Sequence, residues 1–168
     1  LKTIMTTQTK KTTTKRKAPV KRVKLPPNPF IHEILELVSE QRSKAKRVEI
    51  LKEYRDDSLT AVLIWNFDDR VQSAIPDGQV PYEPNDVPVG TDHTSLRREW
   101  KTLYHFIKGG NNTLSSLRRE SMFIQLLEGL HPKEAEIICL VKDKELESEY
   151  PKVTIDVVKE AFPDIVWR

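Results

Sequence analysis

No acidic residue precedes Glu33 in this 168-residue chain, and that absence limits where a core can form. Residues 1–28 hold nine of the 28 Lys and Arg residues and none of the 25 Asp and Glu residues. They therefore carry +9, whereas residues 29–168, with 19 bases against 25 acids, carry −6. A segment of like charge with few apolar side chains cannot bury enough surface to offset the entropy of ordering it. The sequence thus predicts a basic flexible arm over 1–28, kept extended by Pro19, Pro26 and Pro27, and a folded domain over 29–168. Residues 1–4 precede Met5 and read as read-through from an upstream start.

Within 29–168 the apolar spacing is helical. Asn28 and Pro29 are the expected N-cap and first turn of a helix that carries Ile31, Ile34, Leu35 and Val38 on one face. A second helix follows Ser43, with Val48, Leu51 and Tyr54 inward. A third is capped by Asp57 or Ser58, with Leu59, Val62, Leu63 and Phe67 inward. Residues 68–94 break the pattern: Pro76, Pro81, Pro84 and Pro88, with Gly78 and Gly90, forbid a regular helix. This stretch has six acids and one base, and a short extended piece is expected over 71–75. Helical spacing resumes with Leu96, Trp100, Leu103, Tyr104 and Ile107 and stops at Gly109-Gly110. Leu114, Leu117, Phe123, Leu126 and Leu127 mark a fifth helix, Pro132 opens a sixth, and Thr154 caps a last one. The expectation is a single all-α domain of about seven helices, with one long acidic loop and no strand.

The residues of catalysis do not assemble into any familiar pattern. Gly109-Gly110 is followed by two asparagines, not by the Gly-Lys-Ser/Thr of a phosphate loop. His32, His93, His105 and His131 are scattered, with no His-Glu-x-x-His pair, and the loop acids do not follow the alternation of a calcium loop. Cys139 is the single cysteine, so an internal disulfide is excluded, and its apolar neighbours make it a structural thiol. His131 before Pro132 suits an N-cap, and Asp68-Asp69 suits a helix-end turn. No apolar run reaches the roughly 18 residues of a membrane helix, and the first residues lack the apolar region of a secretory signal. An intracellular protein with no catalytic residue, metal or cofactor is expected.

The basic residues are more informative. Lys10, Lys11, Lys15, Arg16, Lys17, Lys21, Arg22 and Lys24 form an arm able to neutralise several phosphates, each contact contributing through counterion release. The arm lacks interleaved aromatic residues, so base stacking is not expected from it. Lys44, Lys46 and Arg47 open the second helix, where backbone amides and cations can meet one phosphate. Arg97-Arg98 and Arg118-Arg119 are two further pairs, each followed by a glutamate that can pair with it. Arg118 and Arg119 complete the candidate nucleic-acid contacts.

Two groups of motifs are familiar. Ile34-Leu35, Ser43-Lys44-x-Lys46, Ile50-Leu51-x-x-Tyr54 and the run from Leu59 to Phe67 resemble the opening helices of the DNA-binding domain of T-even-type ATP-dependent DNA ligases. Leu126-Leu127-x-Gly129, Glu134-Ala135-x-x-Ile138, Lys142-Asp143-x-x-Leu146 and Val157-Val158-Lys159-x-Ala161-Phe162-Pro163 resemble the helical pairs that close that domain. The resemblance implies a ligase-like helical fold without its chemistry. The only Asp-Gly, Asp77-Gly78, has Ile75 where the ligase nucleophile would place lysine. The run over 117–136 resembles small uncharacterised proteins of T-even-like phages of marine cyanobacteria, and this implies a phage source.

Charge and resemblance together suggest a non-enzymatic phage protein that holds nucleic acid, DNA first, through its arm and without sequence preference, in the host cytoplasm. The competing expectation is a virion or interaction protein. In that case the arm threads along an acidic phage or host protein surface, and the 68–94 loop docks.

Overall fold

The computed structural model describes residues 24–88 and 93–168. Among them the chain forms eight α-helices and one 3₁₀ helix around a single core, with no strand. The helices are α1 (Ile31–Glu40), α2 (Lys44–Glu53), α3 (Asp57–Phe67), α4 (Leu96–Glu99), α5 (Ser116–Gly129), α6 (Pro132–Lys142), α7 (Leu146–Glu149) and α8 (Ile155–Ala161). The 3₁₀ helix spans Trp100–Phe106. The central α6 packs on α1, α3, α5 and α7, while α2 packs on α1 and α8.

Local chemistry sets most helix starts. The Ser43 side chain accepts from the Lys46 N–H, Ser115 from Arg118, and Thr154 from Val157. His131 caps α6, as expected, by accepting the Lys133 N–H at 3.1 Å. Each such cap satisfies one of the free amides at a helix start and contributes about 1 kcal/mol. The apolar face of α1 (Ile31, Ile34, Leu35, Leu37 and Val38) is buried, and full burial of such a side chain is worth roughly 1.5–3 kcal/mol.

The structure differs from the sequence-based expectation in five places. First, Asn28 is not the cap of α1: it lies in the left-handed region (φ 57°), so the helix starts at Ile31 after Phe30. Glu33 reaches back to accept the Phe30 N–H (3.1 Å). Second, the cap of α3 is Asp56, which accepts from Leu59 at 2.8 Å; Asp57 is already helical. Third, the long helix expected after Leu96 is a single α turn followed by the 3₁₀ helix. With three residues per turn, Trp100, Leu103 and Phe106 share the inward edge, and Tyr104 faces out at 51% exposure. Fourth, Leu117 in the first turn of α5 points to solvent at 76% exposure. Fifth, a short helix, α7, follows Lys144, whose own positive φ of 57° ends the preceding helical path.

The acidic loop is tied down at its start. Ser73 and Ile107 form an antiparallel bridge, consistent with the extended piece expected over 71–75. Asp68 ends α3, and its buried carboxylate takes two hydrogen bonds from the Arg70 guanidinium (2.8 and 3.0 Å). That guanidinium holds the Asp68 carboxyl below the usual carboxylate range. Trp65 is buried and Trp100 half-buried, and Trp167 donates its indole N–H to the Phe162 carbonyl at 3.4 Å.

Candidate functional site

The described chain begins where the basic arm joins the domain. Lys24 is exposed, and Leu25 donates its N–H to the Tyr54 hydroxyl at 3.3 Å. Residues 24–29 with Tyr54, Arg55, Asp56 and Arg97 line an open groove of about 570 Å³. Two of the groove cations are paired: Arg55 forks onto Asp164 (2.6 and 2.8 Å), and Arg97 reaches Asp56 at 2.7 Å. The Arg55 guanidinium pulls the Asp164 carboxyl down to about 2. The arm candidates Lys10, Lys11, Lys15, Arg16, Lys17, Lys21 and Arg22 lie outside the described residues.

The candidates on the domain divide into two kinds. Arg47 donates to the Gln41 and Arg42 carbonyls (2.9 and 3.3 Å) and so closes the end of α1. Arg119 donates to the His105, Asn111 and Leu114 carbonyls (2.9, 2.8 and 3.4 Å) and so gathers the turn between the 3₁₀ helix and α5. Both guanidinium groups are framework. Lys44 meets Glu160 of α8 at 3.2 Å, an exposed pair that salt screens readily. Lys46 and Arg118 are exposed. Lys46 stands at the start of α2, roughly 12 Å along the helix from the arm junction at Tyr54.

Three of the four histidines are not scattered. His32, His93 and His131 meet in one stack beside Phe30, with ring centroids 4.6 Å apart for His32–His131 and 5.4 Å for His93–His131. The Nε2 of His93 bonds the Asn85 carbonyl at 2.7 Å, which ties the far part of the acidic loop to the stack. His32 is buried and its Nδ1 has no partner; burial first, then the nearby His131, pushes its pKa down to about 4. Glu36 works against that shift and Lys133 with it. Among the described residues no group of three or more His, Cys, Asp or Glu is placed to hold a metal ion.

The stack has a consequence for stability. As pH falls below 6.5 the unfolded chain takes up the His32 proton before the folded one does. Stability is therefore lost as pH falls from 6.5 to about 4. The shift corresponds to about 3 kcal/mol. Urea unfolding at pH 7, 5.5 and 4.5 should show this loss, and the His32→Leu variant should show a shallower dependence over the same window. An equal slope in both chains would exclude His32 as the source.

Two charged side chains of α6 and the turn after it are also structural. Glu134 is buried, and its carboxylate accepts the Ile31 N–H (2.9 Å) and the Leu96 N–H (3.0 Å), so it caps α1 and α4 together. Burial pushes its pKa up, against the pull of those two amides. Lys144 donates to the Trp65 and Asp68 carbonyls (2.7 and 2.9 Å) at the end of α3. Cys139 is half-buried, and burial raises its thiol pKa, which keeps it from the thiolate form.

No curated protein and no solved structure matches this chain. A family model does match it, over residues 34–148, a span that runs from within α1 into α7 and covers about two thirds of the chain. The chain belongs to that family, described as "Family of unknown function (DUF6433)".

Proposed function

We propose that this is a non-enzymatic phage protein that binds nucleic acid without sequence preference, chiefly through its basic N-terminal arm. One observation carries the reading: nine bases and no acid over residues 1–28, set against −6 for residues 29–168. A domain of that charge repels a duplex at long range, so the attraction falls to the arm. Exposed Lys24 lies at the arm junction and exposed Lys46 at the start of α2, and Arg118 adds a cation on α5. The motif likeness to the ligase DNA-binding domain and to proteins of cyanobacterial T-even-like phages supports a helical domain of that descent, working in the host cytoplasm.

The test compares the full chain with a full-length variant in which Lys10, Lys11, Lys15, Arg16 and Lys17 are glutamine. Duplex binding of the unmodified chain should fall steeply with salt, with a slope of about −0.9 per phosphate neutralised. The variant should bind more weakly and with a slope smaller in magnitude by about four. Equal affinity of the two chains, or binding that ignores salt, would rule the arm out as the binding element.

A further inference from the structure

The charge of the folded domain is not evenly spread. Residues 97–119 carry six bases (Arg97, Arg98, Lys101, Lys108, Arg118 and Arg119) against one acid, Glu99. This basic stretch sits in a domain whose sum is negative, and it lies wholly within the span that matches the family model.

The 3₁₀ geometry sorts its side chains. Side chains three apart eclipse one another in such a helix, so Lys101 and Tyr104 share one edge, roughly 6 Å apart along the axis. Trp100, Leu103 and Phe106 take the opposite, inward edge. Arg98, in the α turn just before, is exposed, as are Lys101, Tyr104 and Lys108. Seven residues is long for a 3₁₀ helix. Two features hold it in that form. Phe106 and Lys108 are pinned to the acidic loop by the Ala74 N–H to Phe106 carbonyl bond (2.7 Å) and the Lys108 N–H to Gln72 carbonyl bond (2.8 Å). Gly110 closes against the Tyr104 carbonyl, where a Cβ would come within 1.9 Å of the oxygen.

The same framework brings α5 alongside. Arg119 draws the His105, Asn111 and Leu114 carbonyls onto the start of α5, which places exposed Arg118 beside the 105–114 turn. Glu99, the one acid, accepts from the Thr94 hydroxyl at 2.8 Å, and Glu120, the next acid in sequence, is half-buried. Exposed Tyr104 thus stands within a run of exposed cations: Lys101 on its own edge, with its ammonium 5.9 Å from the Trp100 ring, and Arg98, Lys108 and Arg118 on the segments before and after it. The Tyr104 ring leans on the His105 ring, with centroids 4.0 Å apart, and the residue stays 51% exposed.

We propose that this surface is a second nucleic-acid contact, specific for single strands: the bases stack on Tyr104 while Arg98, Lys101, Lys108 and Arg118 meet the phosphates. A single strand fits because its unpaired bases offer a π-face to an exposed aromatic ring, which a duplex does not. The proposal rests on the reading of the chain as a nucleic-acid binder. It assigns preference for single strands to the domain and leaves the non-specific attraction with the arm.

The experiment measures anisotropy of a labelled oligo(dT) of about 16 nucleotides and of a duplex of equal length, across a salt series, with the full chain. Tyr104→Ala should weaken single-strand binding by about 5- to 100-fold, the range expected for loss of one stacked base, with salt slope and duplex affinity unchanged. Tyr104→Phe should restore it, because the ring and not the hydroxyl stacks. Lys101→Gln should reduce the single-strand slope by about 0.7. The arm-neutralised variant should keep its preference for single strands while losing affinity for both. If Tyr104→Ala binds single strands like the unmodified chain while the arm variant fails, the patch proposal falls and the arm reading stands. A uniform loss on both substrates in Tyr104→Ala also overturns the proposal, and no binding by the unmodified chain overturns both readings.

Discussion

Replacing Glu134 by alanine is expected to destabilise the fold by about 2–5 kcal/mol, because it orphans two buried amides at once. Its carboxylate accepts from Ile31 at one oxygen and Leu96 at the other, at 2.9 and 3.0 Å, and the residue is 1% exposed. Both donors belong to first residues of helices, where no intrahelical partner exists. The positive ends of α1 and α4 therefore converge on one negative charge. Burial without compensation would cost the ion several kcal/mol; burial pushes the Glu134 pKa up while the two amides pull it down. Glutamine keeps one acceptor oxygen and places an amide N–H₂ against the second donor, so Glu134→Gln should recover only part of the loss. Urea or thermal unfolding measures both variants; at this chain length the alanine change corresponds to a fall in Tm of roughly 5–15 °C. A Tm within a degree or two of the unmodified chain in both variants would show that the two helix starts find other partners.

That carboxylate also marks the limit of what the sequence reveals. The all-α class, the caps at Ser43, His131 and Thr154 and the break over the acidic loop follow from signals within a few residues of one another. Glu134 bonds residues 103 and 38 positions away, and nothing local distinguishes it from any solvated glutamate in a first helical turn. The histidine stack is assembled from α1, the loop end and the α6 cap, so spacing along the chain cannot disclose it. Tyr104 escapes the sequence pattern for another reason: a period of 3.6 turns it inward, whereas the three-residue turn of the 3₁₀ helix turns it out. Of the candidate cations, Arg47 and Arg119 look like phosphate contacts in sequence. In the structure their guanidinium groups serve backbone carbonyls. A charged side chain's exposure decides between those roles, and exposure is a tertiary property.

Replacing Lys142 by methionine should free the first part of the acidic loop while leaving the helices folded, at a cost of about 3–5 kcal/mol. The Lys142 side chain is 0% exposed; its ammonium donates to the Pro76 carbonyl (2.9 Å), the Gly78 carbonyl (3.0 Å) and the Asp143 carboxylate. Its own carbonyl accepts from the Ser73 hydroxyl, which in turn accepts the Trp65 indole N–H at 2.9 Å. One residue at the end of α6 thereby holds both sides of the bend over 73–78. Methionine matches the length of the lysine stem but donates nothing, so two loop carbonyls and a carboxylate lose their partner together. The loop then keeps the Ser73–Ile107 bridge, the buried Ile75, the Gly78 N–H to Asp143 contact (3.3 Å), the Tyr82 ring, the Glu83 N–H to Glu128 contact (3.3 Å) and the Asn85–His93 bond. Amide exchange should rise sharply over residues 74–88 while α1, α3 and α6 stay protected, and limited proteolysis should cut first in that span. Because the 3₁₀ helix is pinned to the same loop through Ala74 and Gln72, exchange in residues 100–108 should rise as well. If the loop carries the Tyr104 surface as well as its own acidic charge, single-strand binding by Lys142→Met should weaken alongside that exchange. Unchanged binding in a chain whose loop has come free would show that the 3₁₀ helix keeps its edge without it.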